Sequence, residues 1–363
     1  MISRSAPSSD TTTVAPTSSG LVYSSSLDGH RGNYVHLFTK NLGLTPAVGP
    51  MSPAMMCRLI GAKRLCFAMI EDSASGFLFV SAVRAACGRP TFALLLRPQT
   101  CFEGRCARHR LKLWSLAAWR RLPRVSIATI LPFEVDPENR RVATTGLHDP
   151  ELWDLVDDHC APVPPSSDLA DKISAQAAGR PVVVMLGALS RAKGFDAFVR
   201  LAQTKSDAKA DRLYVAAGQL HLDSEDLAAE LERDGGLVFS RRLTEEEIHS
   251  LYGIADRIWA CYSAEYDQSS GIFGRAVQYG AVPIVRLNSR IHRFALIEGL
   301  EVETLDITTE QLALSRGPTC SSRSSLRARL QGWRDRFWST ARASLDLTRS
   351  SENGRGDARN PNA

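Results

Sequence analysis

The 363-residue chain has no Asp-x-Asp pair, no Cys-x-x-Cys pair and no run of 18 apolar residues. Each absence excludes something. Lacking closely spaced aspartates, the chain offers no ready clamp for a divalent metal, and no metal or other cofactor is expected. Lacking Cys-x-x-Cys, its eight cysteines (Cys57, Cys66, Cys87, Cys101, Cys106, Cys160, Cys261 and Cys320) suit neither a zinc ribbon nor dithiol redox chemistry. Several lie in apolar segments and read as reduced core thiols, which points to a cytoplasmic setting. Lacking a long apolar run, no segment is expected to span a bilayer. Residues 1–19 are rich in serine, threonine and proline without the apolar centre of a secretion signal, so they read as a disordered tail, as do residues 349–363. A net charge of +5 with no accompanying recognition motif gives no reason to expect a nucleic-acid partner.

What is present is an alternation. Residues 182–186 form an unbroken apolar run rich in β-branched side chains, the pattern of a strand covered on both faces, and Gly187 ends it where the backbone must turn tightly. Leu189 to Gly194 reads as a loop, and apolar residues at 195, 198, 199 and 202 mark a helix. Similar strands are expected at 213–217, 237–239 and 258–262, separated by helical patterns such as Glu245 to Ile254. The amino-terminal half repeats the pattern, with strands at 21–23, 64–70, 91–96 and 125–131 and a helix over 33–42. Alternating β and α elements imply parallel sheets with ligands at their carboxyl edges. A proline- and serine-rich break near 160–167 divides the chain. The expected organisation is an amino-terminal Rossmann-like domain over 20–160, a linker over 161–180, a carboxyl-terminal Rossmann-like domain over 181–324 and a helix over 325–348.

Two anion-seeking features meet at the carboxyl edge of the second sheet. Lys193 lies in the loop after the strand that ends at Gly187. A helix opening at Ser269, Ser270 and Gly271 presents backbone N–H groups that have no partner inside the helix, together with the positive end of its dipole. Together with Gly280-Ala281-Val282-Pro283-Ile284-Val285, which begins nine residues after Gly271, these residues resemble the retaining GT-B glycosyltransferases, family four in particular (glycosyl transferases group 1). The resemblance covers roughly residues 180–300. It implies a GT-B fold, two Rossmann-like doubly wound domains facing across a cleft, with the carboxyl-terminal helix crossing back to brace the first domain. It also implies metal-independent hexosyl transfer, with retention, from a nucleotide-sugar donor to a glycan or lipid-linked acceptor in cell-surface polysaccharide synthesis. The donor diphosphate would then leave on the face that the acceptor hydroxyl attacks.

The resemblance carries roles over to particular residues. Lys193 stands where the family's phosphate-binding lysine belongs, and Gly187, Ser269, Ser270 and Gly271 fall at the donor. Of the family's two carboxylates spaced Glu-x7-Glu, the first falls on Asp267, which is assigned with Lys193 to catalysis. The second, which holds the ribose, falls on Arg275, and the family's arginine after the first glycine is Ala188 here. A guanidinium cannot accept hydrogen bonds from ribose hydroxyls. Arg275 is therefore expected to meet phosphate or an anionic sugar, and nearby Glu265 is the substitute acceptor.

In the first domain, the loop containing Gly29, Arg31 and Gly32 corresponds by resemblance to the one that closes over donor and acceptor. His30 within it reads as a surface histidine. Glu71 and Asp72 follow a strand and stand at the cleft edge, either to orient the acceptor or to cap a helix. Arg97 ends the next strand and meets either phosphate or a neighbouring carboxylate. Residues 105–124 carry seven cationic residues, no acidic one, and both Trp114 and Trp119. Such a helix suits peripheral attachment to the anionic inner face of a membrane, or it packs its tryptophans inward and leaves its arginines in solvent. Two rival readings of the whole chain stand beside transfer. Asp267 and Arg275 suit a degenerate GT-B protein that binds a sugar nucleotide or a partner without catalysis. A GT-B-type epimerase needs carboxylates placed to attack sugar carbons, and none is identifiable.

Overall fold

The computed structural model describes residues 20–102, 107–156, 162–204, 212–309, 312–316 and 323–347. The two expected tails, and with them Cys106, Cys160 and Cys320, lie outside the described residues. Cys66, Cys101 and Cys261 are buried, Cys57 and Cys87 are exposed, and all five are free thiols.

The first domain runs β1 (Gly20–Ser24), α1 (His30–Leu42), β2 (Thr45–Val48), α2 (Pro53–Gly61), β3 (Arg64–Phe67), α3 (Ala74–Ala86), β4 (Thr91–Leu95), α4 (Ala107–Trp119), β5 (Val125–Thr129) and β6 (Thr145–Gly146). Its strands form one parallel sheet in the order β2-β1-β3-β4-β5-β6. Every residue of β4 is buried, as a strand covered by helices on both faces requires. The strand order reverses between β1 and β3, so the crevice for a ligand opens above their carboxyl ends.

The second domain runs α5 (Asp168–Ala177), β7 (Val182–Leu186), α6 (Phe195–Gln203), β8 (Leu213–Gly218), α7 (Glu225–Arg233), β9 (Leu237–Ser240), α8 (Glu245–Ile254), β10 (Arg257–Ala260), α9 (Gly271–Tyr279), β11 (Val282–Arg286), α10 (Arg290–Ile297), β12 (Glu303–Leu305), β13 (Leu314–Arg316) and α11 (Arg323–Ser344). The sheet order is β13-β12-β11-β10-β7-β8-β9, with only β12–β13 antiparallel. This order reverses between β7 and β10, so its crevice opens beyond Leu186 and Ala260. Helix α5 lies inside the stretch that sequence reads as linker. Leu169, Ile173 and Ala177 recur at i, i+4 and i+8 and pack with Leu251 and Tyr252 of α8 under β7 and β8.

Helix α11 closes the molecule. Phe337 and Trp338 pack edge-on or tilted against Phe38 and Trp153, and Trp333 packs on Phe294 of α10. These contacts join apolar residues of both domains into one buried cluster. At ~1.5–3 kcal/mol for each large side chain removed from water, this seam holds the two sheets in fixed register. Polar groups from opposite domains can then meet at hydrogen-bond distance in the cleft.

Candidate active site

Close backbone packing builds the second-domain side of the cleft. Gly187 has φ 93°, and a Cβ at Gly218 would overlap the Gly187 carbonyl. The loops after β7 and β8 are tied by Leu189 N–H to the Gln219 carbonyl at 2.9 Å and by His221 N–H to the Leu189 carbonyl at 3.1 Å. Gly194 has φ 76°, and a Cβ there would overlap the Cys261 carbonyl, so only glycine lets the short 3-10 turn Arg191–Lys193 approach β10 this closely. The result sets the Lys193 ammonium 4.3 Å from the centre of the Tyr262 ring and 4.4 Å from that of Tyr266. The Trp259 indole N–H donates to the Lys193 carbonyl at 3.0 Å and fixes the turn.

No carboxylate pairs with Lys193 among the described residues. Burial, and then the charge of Arg97 at the end of β4, pull its pKa down to about 8. Two aromatic faces offset part of that desolvation. Lys193 is thus a half-buried cation on which the charge felt from the first domain is that of another cation. Arg97 also donates its backbone N–H to Glu71 Oε1 at 2.6 Å, while Glu71 Oε2 is buried without a hydrogen-bond partner.

The start of α9 is shared with the segment that follows β6. Ser270 caps the helix through the Phe273 N–H and meets the Tyr262 hydroxyl at 2.6 Å. Ser269 donates to Asp149 at 2.9 Å. Cβ atoms at Gly271 and Gly274 would overlap the Glu151 carboxylate and the Glu151 carbonyl, so these two glycines form a groove for the chain at 149–155. Arg275 pairs with Asp154 at 2.6 Å. Gln278 donates to the Glu151 carbonyl and to Asp154, and accepts from the Leu155 N–H. Residues 271, 274, 275 and 278 share one helical face, and that face is spent on this contact. The helix end that sequence assigns to phosphate is therefore lined by the protein's own Asp149 and Glu151. Burial first, then the Glu151 charge, raises the Asp149 carboxyl above the ordinary range. Arg275 also borders a cavity of about 630 Å³ between α1, α8 and α9, with His249, Tyr252 and Glu151 among its lining.

Asp267 sits in a chain of charges. It accepts from the Arg290 N–H at 3.0 Å and pairs with Arg286 at 3.2 Å, while Arg290 reaches Asp136 of the first domain at 3.0 Å. Glu265 is exposed.

The first-domain loop is held by its own pairs. Gly29, at φ 55°, precedes α1, and a Cβ at Gly32 would overlap the Leu27 carbonyl. Arg31 pairs with Asp72 at 2.7 Å, and Asp72 also accepts from Ser24 Oγ and the Ser25 N–H. Burial alone would raise the Asp72 carboxyl, but the Ser25 N–H, then Arg31 and Ser24, hold it below the ordinary range. Arg31 thus positions the loop through Asp72. His30, the first residue of α1, sets Nδ1 2.6 Å from Glu151 Oε1, and Tyr34 donates to Asp149 at 2.9 Å. Sequence reasoning missed Asp149 and Glu151 as partners of this loop. Separations of 121 residues from His30 to Glu151 and 115 from Tyr34 to Asp149 carry no local signal.

Along the basic segment, the two tryptophans part. Trp119 donates its indole N–H to the Leu78 carbonyl and packs on α3. Trp114 is 71% exposed and Leu111 66% exposed.

No family model matches the chain, and no curated protein matches it in sequence. Solved structures do. The fold is similar to HepE of Anabaena in complex with UDP, with a TM-score of 0.52 and 12% identity over 75% of this chain and 81% of that one. It is also similar to sucrose-phosphate synthase of Thermosynechococcus elongatus, with a TM-score of 0.51 and 11% identity over 90% and 94% of the two chains. A UDP-forming α,α-trehalose-phosphate synthase of Burkholderia vietnamiensis gives a TM-score of 0.50 and 11% identity over 81% and 77%. With its two facing parallel sheets, the chain has the GT-B fold.

Proposed function

We propose that the protein transfers a hexosyl group from a nucleotide-sugar donor to a glycan or lipid-linked acceptor, in the synthesis of a cell-surface polysaccharide. The observation that carries this reading is Lys193, a half-buried ammonium without a counter-anion among the described residues, at the strand-order reversal of the second sheet. In this reading Lys193 and Arg97 meet the donor diphosphate and stabilise the charge that grows on it as the glycosidic bond breaks. Preorganised donors of this kind contribute ~3–4 kcal/mol each to the transition state. The cavity beside Arg275 takes the nucleoside, and HepE, solved with UDP, supports a nucleoside diphosphate. Glu71 Oε2, buried and unpartnered, is an acceptor waiting for a hydroxyl of the sugar-accepting molecule. Asp267 serves by fixing Arg286 and Arg290. Retention, which the resemblance implies, needs a leaving phosphate oxygen to take the acceptor's proton, whereas a protein base would favour inversion.

A second reading has its own support. Arg275 and Asp267, which occupy the two positions that hold carboxylates in the resembling family, are both consumed by ion pairs in this chain. That suits a protein that binds a sugar nucleotide or a partner without turning it over. A thermal-shift screen of nucleotide sugars, followed by product analysis with the stabilising donor, separates the two, because a ligand specific to the native state raises apparent stability with concentration. Binding with nucleoside diphosphate released in step with glycosylated acceptor supports transfer. Binding without turnover supports the second reading.

No helix among the described residues is long and apolar enough to cross a membrane. We also propose peripheral contact with an anionic cytoplasmic membrane face through α4. Trp114 and Leu111 would enter the interface, with exposed Arg110 and Arg121 beside the lipid phosphates.

A further inference from the structure

The Lys193 ammonium sits in a corner made of two tyrosine rings. Its Nζ lies 4.3 Å from the centre of the Tyr262 ring and 4.4 Å from that of Tyr266, and the rings stand at 86° to each other with centres 5.7 Å apart. Each wall of the corner is anchored independently of the lysine. The Tyr262 hydroxyl meets Ser270 Oγ at 2.6 Å, and its carbonyl accepts from the Arg286 side chain at 3.0 Å. Tyr266 ends the short turn Ala264–Tyr266 and donates its backbone N–H to the Ser263 carbonyl at 3.1 Å. A ring face stabilises a cation without neutralising it. A carboxylate in the same place would cancel the charge and compete with an anionic ligand. The tyrosines leave the charge and three N–H donors of Lys193 to whatever enters the cleft, and no hydrogen bond or ion pair engages those donors among the described residues.

We propose that Tyr262 and Tyr266 are positioning residues for a nucleoside diphosphate, acting through Lys193 by holding its ammonium charged and in place for the phosphates. The proposal rests on the sugar-transfer reading and names what keeps its anion-binding group ready. Burial and then the Arg97 charge draw the Lys193 pKa down to about 8, and the two rings favour the charged form against them. Taking away one ring therefore lowers that value further. Across the cleft, Arg97 opposes the ammonium, and the Lys193 charge in turn opposes protonation of His30. On the second domain, Glu265 is exposed beside Tyr266, Asp196 lies in the first turn of α6, and Arg191 is paired with Asp226. None of these carboxylates pairs with Lys193, so the rings are what faces it. An anion binds the ammonium form, so diphosphate affinity falls as pH rises through about 8 and Lys193 loses its proton. Tyr266 is the wall to remove, because it is half-buried on a turn, whereas Tyr262 is 4% exposed and bonded to the cap of α9.

The test uses the full chain. Trace acetylation of Lys193 by acetic anhydride over a pH series, read by peptide mass spectrometry, gives the midpoint of its titration. Calorimetry gives the affinity for UDP, GDP and ADP at ~pH 6.5, where the ammonium is charged, and at ~pH 9, where it is mostly neutral. The wild type should show a midpoint near 8, protection of Lys193 by at least one of the three diphosphates, and weaker binding of that diphosphate at the higher pH. Tyr266→Leu should lower the midpoint by roughly half a unit to one unit, and weaken binding ~3–10-fold more at ~pH 9 than at ~pH 6.5. Tyr266→Phe keeps the ring and should restore both. Tyr262→Phe keeps its ring but drops the bond to Ser270, and should leave the midpoint near that of the wild type. A midpoint unmoved in Tyr266→Leu, or a Tyr266→Phe variant that behaves like Tyr266→Leu, overturns the role of the rings even where a diphosphate protects Lys193. A fall in Tyr262→Phe as large as in Tyr266→Leu does the same, since the hydroxyl and not the ring face would then hold the ammonium. A midpoint that moves while none of the three diphosphates protects Lys193 overturns the donor reading of Lys193 and the positioning role with it.

Discussion

Lys193 and Arg275 are both cations at the cleft, and they differ in what meets them. Arg275 is paired at 2.6 Å with Asp154, whose side chain is 4% exposed, and Asn33 and Gln278 bond the same carboxylate. Lys193 has two aromatic faces and the charge of Arg97 acting on it but no anion paired with it among the described residues. A buried charge with its partner built in contributes to architecture, and removing either partner leaves the other stranded. A buried charge without a partner costs stability in the free protein, and that cost is offset when a ligand brings the missing charge. By this contrast Arg275 belongs to the joint between domains, and the transfer reading gives Lys193 to the substrate.

The sharpest way to break the contrast is Arg275→Glu. It restores the residue that the family resemblance leads one to expect, yet it sets a carboxylate against Asp154. The expected cost is ~3–5 kcal/mol of stability, read as a lower midpoint in denaturant or heat, with weaker donor binding alongside. An unchanged midpoint with tighter binding of a neutral-sugar donor would show that Arg275 is not committed to Asp154. Lys193→Ala should do the reverse. Transfer should slow by ~100-fold or more, about 2.7 kcal/mol, while the unfolding midpoint stays where it was or rises, because a desolvated charge has been removed. Wild-type turnover in this variant would remove Lys193 from the site.

How much of this was open to reading follows from how locally each feature is encoded. Val182–Leu186 and Glu245–Ile254 form a strand and a helix at the bounds that the pattern predicts, because a continuous apolar run and a 3.6-residue period are local signals. The strand expected over 258–262 begins at Arg257 and ends at Ala260, since Cys261 and Tyr262 leave the ladder to form the cleft edge. Strand β2 and the two-residue β6 gave no usable run. Lys193 was legible as an anion ligand from its glycine context. The partner of Arg275 was not, because Asp154 lies 121 residues away and reaches α9 only through glycines whose purpose appears when the chains are packed. The same distance hid the link between His30 and Glu151.

Asp149 extends the contrast to the acidic side. It is fully inside, with Tyr34, Ser269 and the Glu151 N–H donating to it, yet no cation pairs with it among the described residues. Its carboxyl is raised to about 6 by burial and then by the Glu151 charge. In the unfolded chain an aspartate titrates near ~3.9. The folded state therefore holds this proton more tightly, and the resulting stabilisation is complete below ~pH 4 and lost as pH rises through about 6. Relative to Asp149→Asn, the wild type should lose about 2 kcal/mol of unfolding free energy across that interval. A stability difference that does not vary with pH would mean that Asp149 stays ionised throughout.

The smallest expected effect tests the same distinction on one surface. Arg124 pairs with Asp346 beyond the end of α11 at 2.5 Å, and Arg120 donates to the Arg141 carbonyl, so both are engaged within the protein. Arg121 and Arg110 are exposed and have no such partner among the described residues, and they lie on the same helix end and turn as the exposed Trp114 and Leu111. If α4 rests on a membrane, the protein should sediment with vesicles containing anionic lipid, less so as salt rises and screening shortens the reach of exposed charges. Arg121→Gln should weaken that association by ~1 kcal/mol, and Trp114→Ala should weaken it further by removing the interfacial ring. Arg124→Gln should change vesicle binding much less, because its charge is already neutralised by Asp346. Equal loss from the paired and the unpaired arginine would mean that total charge, not the face presented by α4, governs the association. Failure to sediment with either neutral or anionic vesicles would return α4 to a solvated helix face.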